Sequence, residues 1–131
     1  MARGREEHQA RLAAVARLGR NLSRRASNRC ELCEERTSLS VVEVEPLPDE
    51  PDEDAAVMAC ERCARAMAGG RNAPDPAELR ALEATAWSEH APVQVAAVRV
   101  LRRLQGDGVA WASELLDGLY LSDEVGARLG D

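Results

Sequence analysis

Four cysteines are the residues of this sequence whose types and spacing indicate chemistry. Cys30 and Cys33 form one C-x-x-C pair, and Cys60 and Cys63 form a second pair further along the chain. Each pair can present two thiolates to a metal ion from one tight turn, and two pairs supply the four sulfur ligands that structural Zn²⁺ prefers. We therefore predict one structural zinc ion bound by all four cysteines. Such a zinc has no open position for a reacting water.

Two other uses of the cysteines stay open. An iron–sulfur cluster also takes four cysteine thiolates. A C-x-x-C pair beside a βαβ pattern would indicate thioredoxin-like redox chemistry, but this chain has two pairs and no such pattern. Disulfides are not expected, because the N-terminus lacks the apolar stretch of a secretory signal and so predicts a cytoplasmic protein in a reducing compartment.

Charge is spread unevenly along the chain. The formal net charge is −6, and all 17 basic residues are arginines. Residues 1–29 carry eight arginines against Glu6 and Glu7, whereas residues 30–59 carry ten acidic residues against Arg36. A basic segment of this kind can bind nucleic acid. It can equally attract the acidic segment within one folded unit, and we favour this second interpretation.

Composition and periodicity divide the chain into four parts. Apolar residues at helical spacing predict a helix over residues 6–25, within an N-terminal basic segment that covers residues 1–29. The predicted Cys₄ finger covers residues 30–68. Glycines and prolines over residues 69–76 indicate a linker. Residues 77–131 form the predicted helical region.

The finger itself shows a particular order of elements. The β-branched residues 38–45 predict a short strand or one arm of a hairpin, and the acidic, proline-rich residues 46–55 predict an exposed loop. Residues 60–67 read as the start of a helix. A cysteine knuckle, a strand and a C-x-x-C pair that opens a helix follow each other in the order of a treble-clef finger. The N-terminus of that helix then faces the thiolates and stabilises their charge.

The C-terminal part predicts helices separated by short turns. Pro76 is suited to a first helical position, and this helix is expected to reach Trp87. Ser88 or His90 caps the next helix, and a third helix is predicted over residues 109–121, with Tyr120 on its apolar face. Both tryptophans, Trp87 and Trp111, are expected in the core. The fold class is therefore mostly α with a small β element, built from a treble-clef-like Cys₄ zinc finger and a C-terminal helical bundle.

The finger resembles that of the HNH endonucleases. In that family a C-x-x-C pair precedes L-x-V-H-H-I-x-P and L-C-x-x-C-H, and here the same order reads CELC, LSVVEVEP (39–46) and MACERCA (58–64). The histidine pair of the family falls on Val42 and Glu43, and its last histidine falls on Ala64. The resemblance implies a treble-clef scaffold without its catalytic imidazoles.

A second set of segments covers about residues 15–125. It comprises SNRCELCE (27–34), VVEVEP (41–46), ACERC (59–63), AWSEHAPVQVAAVRVLRRL (86–104) and WASELLDGLYLSDE (111–124). This set resembles the PhnA family of alkylphosphonate-utilisation operon proteins. The tryptophan-led segments carry most of the resemblance, because a zinc knuckle alone would not predict them. Many relatives also have a β-rich, SH3-like domain that has no counterpart in this sequence, and the family name implies little about mechanism.

These observations favour binding over catalysis. We predict a non-catalytic cytoplasmic zinc protein of the PhnA type that binds a macromolecule. A protein partner is expected, because the net charge is −6 and few aromatic residues are present to stack on bases. One alternative is a nucleic-acid-binding finger that uses the arginine-rich N-terminal helix. The other is a metal-dependent hydrolase linked to phosphonate metabolism, with a second metal held by His90 and acidic residues. No membrane partner is expected, because no apolar run approaches about 20 residues.

Overall fold

Seven α-helices and a two-stranded antiparallel sheet make up residues 2–131, the part of the chain that the computed structural model describes. The helices are α1 (Ala2–Arg17), α2 (Gly19–Ala26), α3 (Glu61–Ala68), α4 (Leu82–Thr85), α5 (Ala91–Gly106), α6 (Ala110–Gly118) and α7 (Asp123–Leu129). The strands are β1 (Ser40–Glu43) and β2 (Ala56–Ala59), and 3₁₀ turns cover Glu53–Ala55 and Pro76–Leu79. The predicted fold class, mostly α with a small β element, is confirmed.

The N-terminal helix is longer than predicted and is interrupted. It begins at Ala2 instead of residue 6, and α1 and α2 are separated at Leu18. Leu22 on α2 is fully buried against Ala56 and Met58 of β2. Leu12, expected in the same apolar stripe, is 55% exposed because only the C-terminal part of this helix pair is covered by the hairpin.

Strand β2 is the buried centre of the finger. It pairs with β1 in an antiparallel register that places Val42 opposite Val57. All four residues of β2 are buried, because side chains alternate between the two faces of a strand. Ala56 and Met58 pack towards α2, whereas Val57 and Ala59 belong to the main core beside α5. The strand predicted over residues 38–45 is present as the shorter β1.

Helix α5 lies at the centre of the C-terminal region. Ten of its sixteen residues are buried, and it packs against α4, α6, α7, α3 and β2. His90 is its N-cap, as one of the two predicted candidates. The next helix ends at Gly118 and not at residue 121, since Leu119 already has an extended backbone. Tyr120 is 80% exposed, so its assignment to the apolar face was wrong.

The two tryptophans have different environments. The chain between Pro76 and Trp87 forms a 3₁₀ turn and the short α4, with Leu79, Leu82 and Ala86 buried. Trp87 directly follows a buried residue on this winding backbone and is 53% exposed, so the prediction that it lies in the core was wrong. Trp111 is half-buried against the core, and the Arg80 guanidinium lies 4.9 Å from the centre of its ring.

One apolar core joins the finger to the helical region. Cys30, Cys60 and Cys63 belong to the same buried cluster as Val57 and Leu101 of α5. These three cysteines are thereby packed against the centre of the C-terminal helices. The division of the chain at residues 30–68, 69–76 and 77–131 stays a prediction.

Candidate metal centre

The four cysteine sulfurs converge on one point. Their Sγ atoms all lie within 4.8 Å of one another, and the Sγ atoms of Cys33 and Cys60 are 3.5 Å apart. A tetrahedral zinc with bonds of about 2.3 Å requires sulfurs about 3.8 Å apart, so this set fits Zn²⁺. Cys30, Cys60 and Cys63 are buried, Cys33 is half-buried, and none of them forms a disulfide. The predicted four-cysteine cluster is therefore present and is suited to one metal ion.

A tight turn delivers the first pair. The Glu34 N–H donates to the Cys30 carbonyl oxygen, and the Cys30 N–H donates to the Glu35 carbonyl oxygen at 2.7 Å. The Leu32 N–H donates to the Cys30 sulfur at 3.4 Å. Glu34 has a φ of 67°, which bends the chain back just after Cys33. The turn therefore aims both sulfurs at one side and gives one of them a backbone donor.

Strand β2 and helix α3 deliver the second pair. Cys60 directly follows β2 and is the N-cap of α3, where its sulfur accepts the Cys63 N–H at 3.4 Å. The first turn of a helix exposes unpaired N–H groups and a partial positive charge. Both sulfurs lie at this end of α3, so its backbone stabilises thiolate charge. The predicted helix start at residues 60–67 is confirmed.

The packed thiols perturb one another strongly. A hydrogen bond from Cys63, together with backbone donors, lowers the pKa of the Cys30 thiol to about 5. The same contact raises the pKa of Cys63, and burial raises that of Cys60. The Cys30 thiolate is thus stabilised by a hydrogen bond from a neighbouring thiol. A divalent cation can take the place of the thiol protons and bind all four sulfurs as thiolates.

Arg62 is a member of this centre that the sequence interpretation missed. Its Nη2 donates to the Cys33 sulfur at 3.4 Å, and this bond raises the pKa of the Arg62 guanidinium. Its Nε is buried without a hydrogen-bond partner in the part of the chain that the structure describes. Four thiolates around Zn²⁺ carry excess negative charge, which an adjacent cation offsets. Its position within the second C-x-x-C pair is the signal that could have identified it.

Glu31 joins the knuckle, the turn that carries Cys30 and Cys33, to the rest of the finger. Its N–H donates to the Met58 carbonyl oxygen at 2.8 Å, and its carboxylate accepts the Met58 N–H at 2.9 Å. The same carboxylate forms a two-pronged ion pair with Arg25 of α2, with both bonds at 2.8 Å. The Glu31 side chain is 5% exposed, so this pair is largely shielded from water. Helix α2, the knuckle and β2 are thereby held in one arrangement.

The three positions that correspond to the HNH histidines meet at one cavity. Val42, Glu43 and Ala64 all line a space of about 490 Å³ between β1, α3 and α5. None of the residues that line it is a histidine. Glu43 is bound by Arg11, with a shortest contact of 2.7 Å. The cavity therefore brings together the three positions that the HNH resemblance singles out, and none of them has an imidazole.

The histidines do not form a second metal site. His8 and His90 are both exposed. Among residues 2–131, the only group of three or more potential ligands that could hold a metal ion is the four-cysteine set. In the acidic loop, Asp54 forms an ion pair with Arg128 at 2.7 Å. The structure therefore gives no support to a second metal held by His90 and acidic residues.

No family model matches this chain, and no curated protein or solved structure matches it either. No helix within residues 2–131 is both long and apolar enough to cross a membrane. The functional argument therefore depends on the site and the surface of this chain. The resemblances to the PhnA family and to HNH fingers stay predictions.

Proposed function

We propose that this chain is a non-catalytic zinc protein that acts by binding a macromolecule. One observation carries the proposal: the only potential metal-binding cluster of the described residues consists of four sulfurs, and these fill the coordination sphere of Zn²⁺. A zinc ion held in this way stabilises the fold and has no position for substrate. The knuckle, the β1–β2 hairpin and α3 then form a treble-clef finger.

The cavity beside the hairpin supports the same proposal. Catalysis at neutral pH needs a positioned acid, base or nucleophile, or a metal with an open site. At the three cavity positions that correspond to the HNH histidines, Glu43 is paired with Arg11, and Val42 and Ala64 have no titratable group. A catalytic scaffold whose reactive positions are apolar or paired is suited to recognition. Membership of the PhnA type and a cytoplasmic location belong to this proposal.

A metal analysis and a substrate screen test the proposal together. Elemental analysis of the purified chain should find one zinc ion per chain, and a coloured iron species would overturn the zinc assignment. A hydrolase screen that includes phosphonates and DNA should find no turnover, with Cys60→Ser run beside the wild-type chain to identify contaminating activity. Turnover that is lost in His90→Ala and kept in His8→Ala would overturn the binding proposal in favour of an enzyme.

A further inference from the structure

The arginines around α2 divide into two groups on opposite sides. Each residue of an α-helix turns the chain by about 100°. Measured from the buried Leu22, Arg11 and Arg25 fall within about 60° of its direction, and three others fall within about 40° of the opposite direction. The first group, the inner arginines, comprises Arg11 and Arg25 together with Arg29, which follows the end of α2, and the second group, the outer arginines, comprises Arg17, Arg20 and Arg24.

The inner arginines are all paired with acidic residues of the fold. Arg11 pairs with Glu43 at 2.7 Å, and it also donates to the carbonyl oxygens of Pro48 and Asp49 in the acidic loop. Arg25 pairs with Glu31 and donates to two further carbonyl oxygens. Arg29 lies 3.8 Å from Glu34. These contacts support the interpretation that the basic and acidic segments attract each other, but only for this side of the helices.

The outer arginines have no such partners. All three are exposed, and none of them makes a hydrogen bond or ion pair to another described residue. The chain has no acidic residue between Glu7 and Glu31, so no carboxylate lies among them on these helices. On the inner side, Arg11 and Arg25 pair with acidic groups, whereas Arg17 of the outer group lines an open cleft with Glu7, Asp49 and Glu50 without an ion pair to them. A net charge of −6 therefore conceals a basic surface that faces solvent.

We propose that the outer arginines bind the phosphate backbone of a nucleic acid. At 1.5 Å of rise per residue, they span about 10 Å along the helix axis. Duplex DNA carries about one negative charge per 1.7 Å of its axis, so several phosphates lie within reach of this row. Guanidinium groups bind phosphate oxygens through paired hydrogen bonds. The composition of the whole chain predicts a protein partner, whereas the separation of charge between the two sides of α2 favours a nucleic acid.

This inference rests on the proposed function and names the partner class of the binding protein. Its test uses the full zinc-loaded chain and fluorescently labelled duplex DNA, duplex RNA and single strands, with anisotropy measured at several salt concentrations. Three phosphate contacts should give a logarithmic salt slope of about −2.7, so that affinity falls about 6-fold when the salt concentration doubles. Comparison of the affinities for duplex DNA, duplex RNA and the single strands shows which nucleic acid supplies the phosphates.

Matched substitutions assign the binding to the outer arginines. Arg17→Gln, Arg20→Gln and Arg24→Gln should each reduce the salt slope by about 0.9, and the triple variant should lose binding with zinc content and melting temperature unchanged. Arg71→Gln is the control, because Arg71 is exposed on the connecting segment and has the same charge. Equal losses in Arg71→Gln and Arg20→Gln, no salt dependence, or tighter binding to polyglutamate or to anionic vesicles would overturn the inference. Each of these results leaves the zinc content and the absence of turnover, and thus the proposed function, intact.

Discussion

Helices α3 and α5 are packed against each other, yet different forces hold them in place. Helix α3 has eight residues, of which only Cys63 and Ala66 are buried. Helix α5 has ten buried residues among sixteen, mainly Val, Ala and Leu. Since burial of an aliphatic side chain contributes about 1.5–3 kcal/mol, α5 has enough apolar contact to be stable in the bundle. Helix α3 has little apolar contact of its own, and a metal ion held at its first turn would stabilise it.

The difference in burial between α3 and α5 also distinguishes the residues that stabilise the fold from those that are free for recognition. Residues buried for stability are concentrated in α5 and β2, where every position is constrained by neighbours on several sides. Outside β2, the buried residues of the finger are three cysteines with Leu32, Val44 and Ala66, so a metal ion at the cysteines would supply much of its stability. The exposed surfaces of α1 and α2 carry charge. A zinc-dependent finger attached to a zinc-independent bundle is the arrangement that the following substitutions test.

The largest effect is expected from Cys63→Ser. A structural zinc site contributes on the order of 10–16 kcal/mol to folding, and serine does not replace the thiolate. The variant should lose its zinc and unfold over residues 28–68, whereas α5, α6 and α7 keep helical structure. Elemental analysis and hydrogen exchange measure these two outcomes.

Ala64→Ser provides the control for this substitution. Ala64 follows Cys63 on α3 and is half-buried, so serine there adds a hydroxyl group to the same helix without removing a ligand. It should keep its zinc and its protection from exchange. If Cys63→Ser instead loses protection throughout α5, the finger and the bundle form one cooperative unit. That result would contradict the predicted boundary at residues 69–76.

A smaller loss of stability is expected from Leu101→Ala. Leu101 is fully buried in α5, within the core that also contains Cys60. Large-to-small changes of this kind cost about 2–5 kcal/mol. Denaturant unfolding should show this loss with zinc still bound. Leu12→Ala, at a leucine that is 55% exposed, should change the stability by less than about 0.5 kcal/mol. If the two substitutions lowered the free energy of unfolding equally, the packing of α5 would not be the main source of stability.

The sequence identifies the residues whose chemistry is local and misses those whose role depends on their neighbours. The two C-x-x-C pairs and the helical character of residues 77–131 follow from spacing alone, because ligand geometry and helical periodicity act over a few residues. Trp87 was assigned to the core since the break of the helix between Leu79 and Leu82 is not visible in the apolar pattern. The bonds of Arg62 to Cys33 and of Arg25 to Glu31 depend on how distant segments meet, which a pattern of residue types does not contain.

Controls aside, the smallest effect, and the sharpest test of the metal centre, is expected from Arg62→Gln. Groups that hydrogen-bond to metal ligands typically change metal affinity by about 10–100-fold, and Arg62 is the cation in contact with the half-buried Cys33 sulfur. The variant should therefore bind zinc about 10–100-fold more weakly in a chelator competition. Arg65→Gln is the matched control on α3, since Arg65 is exposed and its contacts, a pair with Glu61 at 3.8 Å and a hydrogen bond to the Asn72 carbonyl oxygen, do not involve a cysteine. Cobalt-substituted protein adds a spectroscopic readout, because the sulfur-to-metal charge-transfer bands should shift in Arg62→Gln and stay unchanged in Arg65→Gln. If both variants bind zinc as tightly as the wild-type chain, the guanidinium does not offset thiolate charge, and the helix N-terminus with its backbone donors is sufficient to stabilise the four sulfurs.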